Sequence, residues 1–234
     1  VATLDQFKEV PIFQQYESAI EKIISRVNIS PRPDEQGLEN IIQFEKSTVI
    51  KGRAYLGSLL NAIKEKQCIR LSYRKFQDNQ VKDYVLHPYL LKEYVNRWYL
   101  ISWNPERKAV ATFGLERIEK LEVTTEVFEI AKSFNPDIIF KYSIGITESQ
   151  SQPEKVRLKF DGYSGRFVMS QPIHASQRVI KESADQIEIE LEVSLTEELY
   201  AFILSQGPRV EVLAPEVLKK EIQSRIARVF ERYQ

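Results

Sequence analysis

Residues 87–118 read HPYLLKEYVNRWYLISWNPERKAVATFGLERI. At the centre stand Arg97, Trp98, Tyr99 and Leu100. Successive side chains of a strand point to opposite faces, so Arg97 and Tyr99 share one face and Trp98 and Leu100 the other. Asn104-Pro105-Glu106 breaks the run, residues 108–115 resume it, and Arg117 follows just beyond. Such a segment serves both as a strand of a small barrel and as the wall of a ligand pocket.

Upstream, residues 53–66 carry Tyr55, Leu59, Leu60 and Ile63 on one helical stripe. The period then falls to two: Ile69, Leu71 and Tyr73 alternate with Arg70, Ser72 and Arg74. Asp78-Asn79 signals a turn, and residues 81–91, 98–103, 108–115 and 118–123 read as further strands. Five short strands with tight spacers behind one helix predict a strongly bent sheet or barrel. Residues 145–152, GITESQSQ, mark a linker. Beyond it the order is legible. Residues 155–160 form a strand, 163–169 a short helix, and 177–181 and 187–193 two strands. Thr196 caps a helix ending at Gly207, residues 210–213 form a strand, and Pro215 opens a last helix with Leu218, Ile222, Ile226 and Val229 on one face. The order β-α-β-β-α-β with an added helix matches a ferredoxin-like domain.

Residues 1–51 offer one amphipathic helix through Phe13, Tyr16, Ile20, Ile23 and Ile24, then a break at Ser30-Pro31-Arg32-Pro33-Asp34. That is too little apolar surface for a separate core, so the segment reads as a helical linker. The expected organisation of this α+β chain is therefore 1–51 linker, 52–144 first domain with its leading helix, 145–152 linker, and 153–234 second domain.

The formal net charge is zero, which gives no global electrostatic case for nucleic acid or membrane. The charge is uneven, however. From Arg53 to Lys120 thirteen Lys and Arg stand against seven Asp and Glu. A basic middle in a neutral chain points to an anionic partner there; the plainer reading is an uneven solvated surface. No apolar run is long enough to span a bilayer and no signal peptide pattern appears, so a cytoplasmic protein is expected. The chain opens on Val1 and its only methionine is Met169, so it is read as part of something longer.

Nothing in the sequence argues for an enzyme. No nucleophile elbow, phosphate loop, dinucleotide fingerprint or zinc-protease motif occurs. Two histidines, His87 and His174, and the one cysteine, Cys68, do not make a structural zinc site, and no cofactor is expected. Glu188, Glu190 and Glu192 alternate with apolar residues and read as the wet face of a strand. Binding is better supported. Arg97, Tyr99, Arg117, Tyr73 and Arg74 supply guanidinium forks and rings for an anionic or nucleotide-like ligand. The competing reading pairs the arginines with Glu93, Glu106 or Glu116.

The run at 87–118 closely resembles the WYL domain, named for the tripeptide found here as Trp98-Tyr99-Leu100. Ile69-Arg70-Leu71-Ser72-Tyr73, Pro88 and Leu115-Glu116-Arg117-Ile118 fall where that family places them. The downstream part resembles the C-terminal extension often joined to WYL domains, through Val156-Arg157-Leu158, Ser176-Gln177, Gly207-Pro208 and Val210-Glu211-Val212-Leu213. The resemblance implies an Sm-like or SH3-like five-stranded barrel. It also implies a dimerising transcriptional regulator that senses an anionic ligand, in some members single-stranded nucleic acid. Promoter DNA would be reached only through a helix-turn-helix that is not legible in residues 1–50. Carried over residue by residue, the ligand-binding positions are Tyr73, Tyr89, Arg97, Tyr99 and Arg117, with Arg74 and His87 as secondary candidates. One departure stands out. Where members usually carry another arginine this chain has Ala111, and Gly114 stands where a basic residue is frequent. The alternative is a protein-interaction or oligomerisation module with no small ligand.

Overall fold

The computed structural model describes residues 52–77, 79–131, 134–148 and 152–234. The helix and break expected within residues 1–51 lie outside them, as does Asp78 of the expected turn. The described part is α+β, with two antiparallel sheets and five α-helices. It falls into two compact units that divide between Ile130 and Ala131.

In the first unit a 3-10 turn, Arg53–Tyr55, leads into α1, Leu56–Lys64. Its buried stripe is Leu56, Leu59 and Ala62, rotated from the expected one; Leu60 and Ile63 are only partly covered. Five strands follow: β1 Gln67–Arg74, β2 Val81–Tyr94, β3 Arg97–Asn104, β4 Ala109–Gly114 and β5 Ile118–Val127, in the spatial order β4-β3-β2-β1-β5. β2 is the long element. Its first half pairs with β1 and its second half with β3, and the register slips between Pro88 and Leu90. Proline has no N–H to give a ladder, and an extra residue at such a slip bends the strand and flips its alternation. Tyr84 and Leu86 face the core before the slip, and Leu91 packs against it afterwards.

The β2–β3 turn is Val95-Asn96, both at positive φ (49° and 60°), the left-handed pair that matches the twist of a hairpin. The Asn96 N–H donates to Glu93 Oε1 at 2.6 Å, which ties down one expected partner of the arginines. Between β4 and β5 a 3-10 turn, Leu115–Arg117, carries two charged residues of the prospective site. This turn is held close to the start of the unit. Gly52 sits at φ 101°, and a Cβ there would lie 2.3 Å from the Leu115 carbonyl, so only glycine fits.

The second unit is built from β6 Glu154–Asp161, α3 Gly162–Ser170, β7 Arg178–Glu182, β8 Gln186–Val193, α4 Glu197–Ser205, β9 Val210–Ala214 and α5 Glu216–Glu231. A one-turn helix, α2 Pro136–Ile139, precedes them. The sheet order is β7-β8-β6-β9. Inward residues of β6 and β8, such as Leu158, Phe160, Ile189 and Leu191, meet Leu199 and Ile203 of α4 and Leu218 and Ile222 of α5. Glu188, Glu190 and Glu192 point away from that core, and Arg157 pairs with Glu188 at 3.1 Å. The Asp161 carboxylate caps α3 by accepting the Ser164 N–H at 2.6 Å, which lowers its pKa.

Two expectations are corrected here. Thr196 stands at the head of α4, but its side chain makes no capping bond. On α5 only the first half of the apolar face is covered; Ile226 and Val229 are exposed because the helix runs past the core. The units part upstream of the polar stretch at 145–152. Ile144 joins the second core, the Tyr142 carbonyl accepts the Ser194 N–H at 2.8 Å, and Glu198 Oε1 accepts from the backbone of Ile146 and Thr147.

Gly165 faces β8, and a Cβ there would meet Ile187 Cβ at 2.6 Å and its Cδ1 at 2.8 Å. Alanine normally gains about 1 kcal/mol over glycine within a helix. Overpacking against a stiff β-branched side chain costs roughly 1–3 kcal/mol. Gly165→Ala should therefore lower the melting temperature of the second unit, measured by circular dichroism; a rise would show that the α3–β8 contact is loose.

Candidate binding site of the first unit

Tyr73, the last inward residue of β1, sets the site. Its ring meets Phe113 of β4 edge-on, with centroids 4.9 Å apart, and Tyr84 of β2 meets the same Phe113 at 5.3 Å. The Tyr73 hydroxyl accepts the Gly114 N–H at 3.0 Å. Burial pushes the phenol up to about 12, although Arg117 beside it and the Gly114 bond pull the other way.

Arg117 lies over these rings. Its guanidinium carbon is 5.0 Å from the centre of Tyr73 and 4.8 Å from that of Phe76, within cation–π range of both. Glu116 stands between the two arginines. Its Oε1 is 3.6 Å from Arg117 Nε and 3.9 Å from Arg97 Nη1. Both separations exceed the roughly 2.7–2.9 Å of a charge-assisted hydrogen bond. Glu116 thus shares its charge between two cations without binding either tightly. Tyr99 feels the same cluster: burial raises its pKa first and Glu116 second, while Arg97 and Arg117 lower it. The competing reading of the arginines is thus partly realised, with Glu116 as the partner.

The structure brings together Tyr73, Arg97, Tyr99 and Arg117. It does not bring Tyr89 or His87 to them. Tyr89 sits at the register slip of β2 against Phe128, and His87 stacks on the same ring at 4.9 Å. Burial lowers the His87 pKa. Arg74 is committed elsewhere, to Glu119 at 2.7 Å and to the Asn79 carbonyl at 3.1 Å. Trp98 packs on the core to which Leu100 belongs.

A cleft of about 290 Å³ opens beside this cluster. Tyr73, Tyr84, Phe113 and Arg117 form one part of its wall. The rest comes from residues the sequence did not single out: Lys75, Phe76 and Gln77 after β1, and Asn104 and Arg107 at the β3–β4 turn. Ala111 and Thr112 of β4 complete it. No carboxylate is among the described residues that line it. One signal was available: Lys75-Phe76 continues Tyr73-Arg74 directly, cation beside ring. A larger groove of about 460 Å³ lies on the outer face of β1, β2 and β5, but there Arg70 and Lys120 mix with Asp83, Glu106 and Glu122. Such mixed charge gives an anion no clear preference. Among the described residues no group of His, Cys, Asp and Glu could hold a metal, and no helix is long and apolar enough to cross a membrane.

Comparison with known proteins adds the following. The WYL domain family model matches residues 54–123, and the WCX domain family model matches residues 152–230. A similar solved structure is proteasome accessory factor B/C of Arthrobacter aurescens. It is 19% identical with a TM-score of 0.35, and the match covers 81% of this chain and 28% of that one. Another is a CRISPR Cas-related protein, 11% identical with a TM-score of 0.45, covering 78% of this chain and 52% of that one. The chain thus spans from about a quarter to about half the length of these two structures. No curated protein matches the sequence.

Tyr73→Phe removes the acceptor of the buried Gly114 N–H and should cost about 1–3 kcal/mol at neutral pH. In the wild type the folded phenol keeps its proton to about 12, whereas the ordinary value is 10.0. The stability it contributes is complete below pH 10 and is lost as the pH rises through 12. The gap between wild type and Tyr73→Phe in urea unfolding should therefore narrow across that window; a constant gap would place the hydroxyl in water.

Proposed function

From the premise that this chain carries a WYL domain followed by a WCX domain, we propose that it is the ligand-sensing region of a transcriptional regulator, without catalysis of its own. One observation carries the reading: a guanidinium held over two rings at the mouth of a cleft with no acidic lining among the described residues. Arginine in such a setting favours an anion, and the rings favour a flat one. The effector is accordingly anionic or nucleotide-like, with single-stranded nucleic acid as one source. Tyr73, Arg97, Tyr99 and Arg117 are its first contacts, and Tyr89 and His87 act at a distance by shaping β2.

The finer architecture is part of the same reading. The order β4-β3-β2-β1-β5 with a bent, shared β2 supports an Sm-like or SH3-like barrel. In the second unit, the order of elements with the sheet order β7-β8-β6-β9 supports a ferredoxin-like domain. A DNA-binding domain belongs upstream of Val1. Two protomers, linked in the cytoplasm through these domains, would translate effector binding into a change in the spacing of DNA half-sites.

One observation favours the alternative of a protein-interaction module. Ile226, Val229 and Phe230 of α5 are all more than half exposed, more apolar surface than a charged helix needs. Scattering in solution tests it: a dimer lost on Ile226→Glu with effector binding intact would give α5 the principal role.

Arg117 is 24% exposed and stacked, Arg97 56% exposed. Arg117→Ala should therefore weaken binding of short single-stranded oligonucleotides by roughly tenfold to a hundredfold, and Arg97→Ala by only a few-fold. The remaining affinity should fall with salt less steeply than in the wild type. Unchanged binding of every anion by the double variant would remove the assignment.

A further inference from the structure

The cleft is electrically lopsided. Beside it, outside its lining, Glu116 already shares the charge of Arg97 and Arg117. The other wall carries Lys75 and Arg107, and neither forms an ion pair with a carboxylate among the described residues. At this second wall lies Asn104, which is 1% exposed. Its Oδ1 accepts the Arg107 N–H at 3.2 Å, which fixes the amide so that Nδ2 points the other way. That buried nitrogen has no hydrogen-bond partner among the described residues. A buried donor is costly to leave unmet, and a donor in a cleft that two cations also line is suited to an anionic oxygen.

The same cleft also offers an apolar, flat surface. Phe76 is 70% exposed, and Arg117 covers one of its faces. Ala111 adds no more than a methyl group to the wall, which leaves room for a ring. The volume of about 290 Å³ is at the lower edge of small-molecule pockets, roughly 300–1,000 Å³, which is room for one nucleotide unit rather than several.

We propose that Lys75, Asn104 and Arg107 form an anion subsite in this cleft, with Phe76 as the platform for a planar ring, so that the site takes a single phosphorylated aromatic unit. A free nucleoside monophosphate and the phosphorylated end of a strand share that chemistry. The proposal rests on the reading that the first unit binds an anion. It moves the principal charge contacts from Arg97 to the two loops.

The test is calorimetric titration of the whole chain with adenosine 5′-monophosphate, ribose 5-phosphate, adenosine and a short single strand with and without a 5′-phosphate. Lys75→Ala and Arg107→Ala should each weaken binding of the monophosphate roughly tenfold to a hundredfold. Asn104→Asp, which keeps the acceptor for the Arg107 N–H, should abolish it. Phe76→Ala should erase the advantage of the monophosphate over ribose 5-phosphate. Preference for the 5′-phosphorylated strand over the monophosphate would identify a strand end as the source; the reverse would identify the free nucleotide. If Lys75→Ala and Arg107→Ala bind as the wild type does while Arg97→Ala with Arg117→Ala does not bind, the anion sits beside Glu116. The subsite is then wrong and the anion-binding reading stands. If the wild type binds none of these probes, both fall together.

Discussion

The hydrogen bond from the Gly114 N–H to the Tyr73 hydroxyl joins strands that are not neighbours. Tyr73 is on β1 and Gly114 ends β4, with β2 and β3 between them in the sheet. A flat sheet with strands about 4.8 Å apart could not bring them within 3.0 Å. The contact exists because the sheet curls, and once made it holds the curl. Phe113 reinforces it, touching both Tyr73 and Tyr84 edge-on. The 3-10 turn begins at the next residue, Leu115, so the same junction sets where Glu116 and Arg117 project. The cluster of Tyr73, Glu116 and Arg117 is thus a by-product of the sheet's curl.

That dependence explains which parts were legible in the sequence. Period and turn chemistry are local, so the helix before β1, the five strands and the β-α-β-β-α-β order could be read from Ile69, Leu71, Tyr73 and their counterparts. Tyr73, Arg97 and Tyr99 lie on strands, where period gives their faces; Arg117, in the 3-10 turn just past β4, follows the end of that strand closely. Tyr89 could not be placed in this way. The slip between Pro88 and Leu90 reverses the parity of β2, and no residue type announces on which side of a slip a tyrosine will fall. The α5 stripe misled for another reason. Helical spacing marks which face is apolar, not how far a core extends beneath it, and cover ends after Ile222. Lys75 and Arg107 sit beyond strand ends, where position follows from tertiary packing rather than period.

Glu116 shows how one carboxylate can set the character of a site. Two arginines and one glutamate leave a single net positive charge near Tyr99, at separations too long for directed bonds. An incoming anion there must compete with a carboxylate that is already in place. Twofold sharing weakens the pull of both guanidinium groups without a directed bond that would hold either in place. The other wall has no such competitor among the described residues.

Charge carried on loops and charge carried on a strand differ in what they permit a cleft to select. An arginine at position 111 would project from β4, a rigid element, and would fill the space that Ala111 leaves. Lys75 and Arg107 project from turns, where long side chains can follow ligands of differing length. Rigid elements fix geometry more narrowly than loops do. In this chain the rings of Tyr73 and Phe113 and the buried Asn104 amide remain the fixed parts, anchored by Gly114 and by the Arg107 backbone. Shape and donor direction are then set by a rigid floor, while most of the charge arrives on adaptable arms. On the proposed reading, a cleft so divided would discriminate by ring and acceptor geometry more than by total charge.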